Sequence, residues 1–305
     1  MRCTLDFPSL WINSKQFETV LQRSGGPHGK TVYDVVFKIP QGCKLMVDAA
    51  VRLLSLANQL QRSTRRVRLE FEEGEEGTMG YLDRIGFFDH LLPEIEVSPD
   101  RPTVSRADIF YGTSFKLVEI AAINPADRSI AKNLPGRLTD VLVKGCHGRP
   151  DIKSLENAAF TVFAELIGNI FDHSSTELDG FAALQLYRRG GCLKVAVSDS
   201  GHGVLQTLRP ALEKEKSKLA KLSDTDLFVE VVRKGLSRHG KNRGCGIKGS
   251  AEQALKYKAE LDVRLPESRI LLVPGQTGYR PNTAYCFDNL HLFWGTHLSF
   301  DFDLT

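Results

Sequence analysis

The chain has 305 residues, which at about 150 residues per domain corresponds to roughly two domains. Hydrophobic residues make up 42% and charged residues 25%, a globular composition that excludes a largely disordered chain and a collagen-like or disulfide-dense scaffold. The net charge of +3 is too small to indicate a nucleic-acid-binding protein, so we expect no nucleic acid partner.

Cysteine usage and apolar runs bear on the compartment. The six cysteines are scattered without a CxxC pair, which argues against a zinc site and fits thiols kept reduced in a cytosol. The amino-terminal segment has no apolar run of signal-peptide length. The longest apolar stretch, residues 158–171, contains Glu165 and Asn169 and is shorter than the roughly 20 residues that a membrane helix needs. We therefore expect a soluble cytoplasmic protein without a membrane span.

Residues 1–100 alternate between strand-like and helix-like patterns. Residues 31–39 and 67–71 are rich in β-branched and aromatic side chains and predict strands. Residues 47–60 have apolar side chains at helical spacing, and residues 77–86 predict a short helix. Strand, helix, strand, helix indicates an α/β domain with a parallel pair of strands.

The remainder divides into a connector and a second domain. Residues 101–150 are rich in proline and are predicted to connect the domains, with one strand at 115–123. Residues 151–305 are predicted to form an α+β domain, one mixed sheet with helices packed on one face. Its predicted helices cover 155–172 and 247–258, and its predicted strands cover 181–188, 192–198, 261–265, 269–273, 283–287 and 296–302.

Three polar residues share one face of the helix predicted at 155–172. Glu165, Asn169 and Asp172 lie at i, i+4 and i+7, on the side that continues the apolar pattern. Burial of such groups without partners is costly, so a ligand or an ion is a natural partner for them. A polar edge of a surface helix fits this segment equally well when it is taken alone.

Two further polar positions lie at the ends of predicted strands. Asp199 ends an apolar strand, and Gly201 and Gly203 follow it, so the backbone there can approach a flat ligand closely. Thr296 enters the last predicted strand. An ordinary strand-to-turn junction and an ordinary edge strand have the same patterns.

A glycine-rich loop opens directly into the helix predicted at 247–258. It contains the basic residues Lys241 and Arg243 and the glycines Gly244 and Gly246. Backbone N–H groups at a helix amino terminus form a ready site for phosphates. A flexible linker is the alternative interpretation of this loop.

In this order and spacing, the four segments in residues 151–305 resemble the GHKL family of ATP-binding domains. That family includes gyrase, heat-shock chaperone ATPases, mismatch-repair ATPases, histidine kinases and anti-sigma kinases. Residues 165–169 match its N-box, 199–203 its first glycine box, 244–246 its second glycine box, and Thr296 the threonine of its closing strand. The resemblance implies the Bergerat sandwich fold, with ATP and Mg²⁺ as ligands.

The resemblance also implies a role for each residue. Asn169 would coordinate the Mg²⁺ ion that bridges the phosphates, and Asp199 would accept a hydrogen bond from the adenine amine, with Thr296 beside it. Gly201 and Gly203 would let the adenosine lie against the backbone, and the glycine loop would hold the β- and γ-phosphates. The other implied nucleotide-binding residues are Asp172, Lys241, Arg243, Gly244, Gly246 and Ile247.

By the same resemblance, residues 205–243 would form a lid over ATP. This stretch contains ten Lys or Arg against five Asp or Glu, and we count few of its residues as able to build a core. A charge run is usually only a solvated face, but here it would close over a polyphosphate. We therefore expect the segment to be mobile without nucleotide.

Glu165 separates the kinds of protein in this family. A glutamate one turn before the Mg²⁺ asparagine can deprotonate water or a hydroxyl in line with the γ-phosphate. Two-component histidine kinases usually lack it and need an acceptor histidine on a separate helix, which we do not find in the sequence. We expect an ATPase switch whose lid closure controls partner contacts. The alternatives are an anti-sigma-type Ser/Thr kinase acting on a STAS partner and a non-catalytic nucleotide sensor.

Residues 1–100 resemble a STAS domain, the fold of anti-sigma-factor antagonists. The resemblance rests on the strands at 32–39 and 67–71, the helix opening at 47–51 and the segment 82–88. Where that family has a phosphate-accepting serine, this chain has Ala49 and Ala50, so the acceptor hydroxyl is missing. The resemblance implies a docking or regulatory module, with a protein partner bound through this domain or the lid; a homodimer stays open.

Overall fold

The computed structural model describes residues 1–129, 132–146, 148–173, 176–187, 191–236 and 245–303, and leaves the side chains of Asp172, His173 and Cys245 undescribed. Within these residues the chain forms a mixed α/β structure with two units, an N-terminal unit around a four-stranded sheet and a C-terminal unit around a seven-stranded sheet. Among the described helices, none is long and apolar enough to cross a membrane.

The N-terminal unit is a parallel sheet with helices. Its strands lie in the order β1 (Arg2–Asp6), β3 (Asp34–Ile39), β5 (Arg66–Phe71) and β6 (Glu96–Ser98), all paired in parallel. A small separate pair consists of β2 (Trp11–Ile12) and β4 (Lys44–Leu45). The helices are α1 (Ser14–Arg23), α2 (Val47–Arg62), α3 (Thr78–Arg84), α4 (Phe87–His90) and α5 (Arg106–Ile109). The predicted parallel pair is confirmed.

Helix α1 and strand β1 are absent from the sequence prediction, although a local signal marks the start of α1. Asn13 Oδ1 accepts hydrogen bonds from the backbone N–H groups of Lys15 and Gln16, at 2.8 and 3.3 Å. The Gln16 side chain accepts from the Asn13 N–H at 3.2 Å, which completes a capping box. An Asn followed three residues later by Gln is therefore a start signal for α1 that the periodicity does not supply.

Seven antiparallel strands form the sheet of the C-terminal unit. Their spatial order is β12 (Tyr279–Pro281), β11 (Arg269–Pro274), β10 (Glu260–Arg264), β13 (His297–Asp303), β9 (Cys192–Ser198), β8 (Gly180–Tyr187) and β7 (Leu117–Ile123). Five helices contribute to the core on one face: α6 (Leu134–Gly145), α7 (Ile152–His173), α8 (Val204–Lys214), α9 (Asp224–Lys234) and α10 (Cys245–Lys256). The predicted connector therefore contains β7, which pairs with β8, and α6.

Two predictions for this sheet are wrong. The sheet is not mixed, because every described pairing is antiparallel. The last strand, β13, enters between β9 and β10, and strand patterns do not encode such a placement. The strand predicted at 283–287 is a 3₁₀ turn over Thr283–Tyr285, where the Asn282 side chain caps the turn and Phe287 makes a single bridge to Arg269.

Helix α2 covers the second face of this sheet, which the sequence prediction left open. Side chains alternate along β8, so Ala182 and Leu184 join the core under the C-terminal helices, whereas Phe181 and Ala183 join the core around α2. The two units therefore share a core across the sheet. Ala49 and Ala50 are fully buried in α2.

Buried ion pairs also join the two units. Arg52 of α2 donates to Asp262 of β10 at 2.8 Å, and Arg264 of β10 donates to Glu18 of α1 at 2.8 Å. All four side chains are buried. Ionised groups are tolerated in such positions only when they are paired, so these contacts define how α1 and α2 lie on the sheet.

The stretch predicted to be a mobile lid is helical and packed over 204–234. Leu208 and Leu212 of α8 and Phe228 and Val231 of α9 are buried in the C-terminal core. The prediction of few core-building residues is wrong because the apolar side chains recur every three or four positions in α8 and α9, while Lys216, Lys218 and Lys221 lie in the segment between these helices. Residues 237–243 of the stretch lie outside the described part of the chain.

Candidate functional site

The start of α10 lies against the face of α7 that carries Glu165 and Asn169. A Cβ atom placed on Gly246 would lie 2.7 Å from Glu165 Oε2 and 3.8 Å from Asn169 Oδ1. A larger residue at 246 would displace the end of the Glu165 side chain, so glycine allows this close approach without a shift. The α7 face therefore brings a carboxylate and an amide to the first turn of a twelve-residue helix.

Glu165 and Asn169 differ in burial. Asn169 is half-buried, and its Nδ2 atom is buried without a hydrogen-bond partner among the described residues. Glu165 is exposed, so it does not point into the core, and its predicted place in a ligand pocket stays a prediction. The physical reason is that the apolar stripe of α7 is narrower than the predicted face, and Glu165 lies at its edge. An unpartnered buried amide is costly and points to a missing hydrogen-bond partner.

Asp199 lies at a tight crossing of two backbones, at the end of β9 and the start of β13. Its Oδ1 accepts from the Gly201 N–H at 2.8 Å, and its Oδ2 accepts from the Thr296 N–H at 3.0 Å. The Asp199 N–H donates to the Thr296 carbonyl at 3.1 Å. We call residues 199–200 together with 294–296 the Asp199 crossing.

Gly295 makes this crossing possible. Its φ of 96° is in the left-handed region, and a Cβ atom there would lie 1.9 Å from the Asp199 carbonyl oxygen. Any other residue would push the two backbones apart. Gly295 is therefore a structural requirement of the site.

Burial raises the pKa of Asp199 to about 6, although hydrogen bonds from Gly201 and Thr296 oppose the shift. Removal of a carboxylate from water disfavours its charged form, and here that effect exceeds the stabilisation by two backbone donors. A carboxylate has about four acceptor positions, so two remain for a ligand after these two bonds. Asp199 is thus an acceptor that titrates near neutral pH.

Thr296 and Gly203 connect the Asp199 crossing to the start of α8. The Thr296 hydroxyl accepts from the Val204 N–H at 3.0 Å. Gly203 has a φ of 84°, and a Cβ atom on it would lie 2.9 Å from Pro266. Gly203 therefore serves local backbone geometry, whatever ligand lies nearby.

Gly180, at the start of β8, lies between the residues next to Asn169 on α7 and the Asp199 crossing. A Cβ atom on Gly180 would lie 2.8 Å from Ile170, next to Asn169 on α7, and 2.9 Å from the carbonyl oxygen of Ser198, next to Asp199. A cleft of about 460 Å³ opens beside the crossing. It is lined by Thr176, Ser200, Gly201, His202, Gln206, Pro266, Leu292 and Trp294.

Several predicted site residues are outside this description. Lys241, Arg243 and Gly244 lie outside the described residues, as does the side chain of Asp172. Ile247 is described, and its half-buried side chain packs against the C-terminal core in the first turn of α10. Its side chain thus contributes packing, and a ligand role for Ile247 would have to come from its backbone.

Sequence reasoning missed the part that α2 plays at this site. Gln59 is hydrogen-bonded to both Ser200 and Trp294 at the Asp199 crossing. The available signal was the polar pair Asn58-Gln59 within the apolar pattern of α2. That signal shows a polar residue in a buried helix but not what it contacts.

Comparison of the chain with protein-family models and with curated proteins finds no match. Any function assigned to the chain therefore rests on its own residues and their geometry.

Proposed function

We propose that this chain is a Mg²⁺-dependent ATP-binding protein of the GHKL type, with a Bergerat-like C-terminal unit, that hydrolyses ATP and changes its partner contacts with nucleotide state. The observation that carries the proposal is the contact of Gly246 with Glu165 and Asn169. These residues belong to two remote segments, each predicted to hold phosphate or metal, and a Cβ atom added at Gly246 would lie within 4 Å of both side chains. That proximity is what a shared triphosphate site requires.

The residues at this contact fit a phosphate-bound magnesium ion. Mg²⁺ is usually held by one or two protein oxygens together with substrate phosphates and waters. Asn169 Oδ1 would supply the protein oxygen, and the unpartnered Nδ2 would donate to a phosphate oxygen. When bound, the ion would neutralise charge on the phosphates. Glu165, one turn earlier and exposed, would accept a proton from the attacking water.

The base would bind on the Asp199 side of the site. The ionised carboxylate would accept from the adenine amine with an oxygen lone pair that the Gly201 and Thr296 amides leave free. Trp294 and Gly201 are among the residues that line the cleft beside the crossing, and a flat base would pack against them there. Triphosphate and base would thus be held by separate parts of the C-terminal unit.

The N-terminal unit, which we propose is STAS-like, would act as a fixed regulatory module. Its α2 helix is buried against the large sheet, so this helix is not a free docking surface for a partner. Ala49 and Ala50 carry no hydroxyl, so phosphorylation at these positions is chemically excluded. A partner would bind the outer surface of this unit or the helices of the C-terminal unit.

The test of the proposal is Mg²⁺-dependent ATP binding by the intact chain, which calorimetry measures with and without Mg²⁺. Asn169→Ala is expected to abolish the Mg²⁺-dependent part of the affinity, because the phosphate charge loses its bridging ion. Asn157→Ala, on the exposed side of the same helix, is the matched control and should bind as the parent does. Undiminished Mg²⁺-dependent affinity in Asn169→Ala would refute the N-box interpretation, and absence of ATP binding by the parent would refute the function.

The pKa of Asp199, raised to about 6 by burial, predicts a pH dependence of base recognition. Only the ionised carboxylate is a pure acceptor for the adenine amine, so ATP affinity should be constant above pH 7 and fall as the pH drops below about 6. Inosine triphosphate, with an oxygen in place of that amine, corrects for titration of the phosphates. The ratio of ATP to inosine triphosphate affinity should decrease with falling pH; a ratio independent of pH would show that Asp199 does not read the base.

A further inference from the structure

The side-chain amide of Gln59 binds both backbone strands of the Asp199 crossing. Its Nε2 donates to Ser200 Oγ at 3.0 Å and to the Trp294 carbonyl at 2.9 Å. Its Oε1 accepts from the Trp294 N–H at 3.0 Å. Gln59 is fully buried, so these bonds have no competition from water.

These contacts are adjacent to the groups that orient Asp199. Ser200 follows Asp199 directly, and Trp294 lies two residues before Thr296, whose N–H binds the Asp199 carboxylate. Gly295, between Trp294 and Thr296, packs closely on the Asp199 backbone, since an added Cβ atom would lie 1.9 Å from the Asp199 carbonyl oxygen. A shift of Trp294 therefore moves the Thr296 N–H and with it the carboxylate.

A second chain of hydrogen bonds joins α2 to the same crossing. Burial, with Arg52 and Arg264 adding to it, holds the pKa of His297 well below its usual range, so the ring is neutral. The neutral ring donates from Nε2 to the Trp294 carbonyl at 2.8 Å and accepts at Nδ1 from the Ser198 hydroxyl. Ser55 of α2 is 2.7 Å from the Ser198 hydroxyl. Two positions of α2, one turn apart, thus contact the end of β9.

We infer that Gln59 is a positioning residue for base recognition, so that the N-terminal unit completes the nucleotide site of the C-terminal unit. The inference rests on the proposed function. Gln59 does not touch the nucleotide; it fixes the crossing on which the Asp199 carboxylate is oriented. Since coupling between sites is reciprocal, a bound nucleotide also stabilises the packing of α2 against the seven-stranded sheet. Nucleotide state is thereby transmitted to the N-terminal unit through Gln59.

Asn58 provides a matched control on the same helix. Its amide makes an equivalent clamp, with Nδ2 donating to the His90 carbonyl at 2.9 Å and Oδ1 accepting from the Leu92 N–H at 3.1 Å. Asn58 is buried as well, but its partners lie within the N-terminal unit. Replacement of either residue by leucine removes a buried amide clamp, and only one of the two clamps holds the Asp199 crossing.

The experiment compares the parent, Gln59→Leu and Asn58→Leu for ATP and inosine triphosphate affinity, and for hydrogen exchange in α2 with and without ATP. We expect Gln59→Leu to lower the ratio of ATP to inosine triphosphate affinity by roughly tenfold and to lose the ATP-induced protection of α2. Asn58→Leu should keep both. Equal ratios and equal protection in the two variants would overturn the inference while the parent still binds ATP.

Two further outcomes are separable. If the parent binds no ATP, the proposed function fails, and the inference fails with it for that reason. If Gln59→Leu does not fold, Gln59→Glu replaces it, because a glutamate still accepts from the Trp294 N–H and the Ser200 hydroxyl but cannot donate to the Trp294 carbonyl. That variant should also lower the affinity ratio, and a ratio equal to that of the parent would overturn the inference.

Discussion

Replacement of Glu165 by alanine is expected to leave ATP bound and to slow its hydrolysis by about 10²–10⁴-fold, the usual contribution of a general base. Glu165 lies one helical turn before Asn169, with its carboxylate beside Gly246 at the start of α10, and it makes none of the described hydrogen bonds of the Asp199 crossing that would hold the base. Loss of a carboxylate next to a triphosphate also removes like-charge repulsion, so ATP affinity should be equal or tighter. Phosphate release and equilibrium ATP binding measure the two effects separately.

Glu165→Gln distinguishes a proton acceptor from a helix-stabilising carboxylate. A negative charge near a helix amino terminus is stabilising by itself, and Glu165 lies at the first turn of α10. Glutamine keeps the shape and an acceptor oxygen but cannot take up a proton, so it too should stop hydrolysis. Glu156→Ala, exposed on the same helix, should hydrolyse ATP as the parent does. Normal hydrolysis by Glu165→Gln would contradict the general-base role, and loss of ATP binding by Glu165→Ala would indicate a structural or metal-linked role.

Replacement of Asp262 by alanine is expected to lower the free energy of unfolding by about 3–5 kcal/mol, because one partner of a buried ion pair is removed and the other is left uncompensated. Asp262 accepts from Arg52 at 2.8 Å, from Ser14 at 2.9 Å and from Arg269. Arg52 and Arg269 are both buried, so neither guanidinium can turn to water after the change. Urea unfolding at pH 7 measures the loss.

The pH dependence of stability gives an independent check on Asp262. Burial alone would raise the pKa of Asp262, but Arg52 and Arg269 hold it well below its usual range. Because the folded pKa is below the unfolded value of about 3.9, the contribution is fully present at neutral pH and is lost as the pH falls below that value. Asp34→Ala, which removes the largely exposed pair with Arg2, is the control and should cost at most about 1 kcal/mol. Equal losses in the two variants would contradict the buried network.

The local pattern of the chain predicted β3, α2, β5 and α3 of the N-terminal unit, and α7, α10 and the described strands other than β12 of the C-terminal unit. Helix α7 was predicted at 155–172 and covers Ile152–His173, and β9 has the predicted bounds. The same pattern placed Glu165 and Asn169 one turn apart and Asp199 at a strand end, because these relations depend on neighbours within a few residues. The apolar spacing at 204–234 also indicates α8 and α9. These helices were not predicted because the stretch was judged by its overall content of charged residues.

The chain by itself thus determined part of the helices and strands, α7 and β9 among them, and the polar residues that these two elements carry. Only the tertiary structure decided the antiparallel order of the large sheet, the covering of its second face by α2, and the approach of Gly246 to Glu165. It also decided that Gln59 binds Ser200 and Trp294. A helix period is set by backbone geometry within one or two turns, whereas a buried amide or carboxylate takes its partners from whichever remote segment the packing of the cores brings beside it.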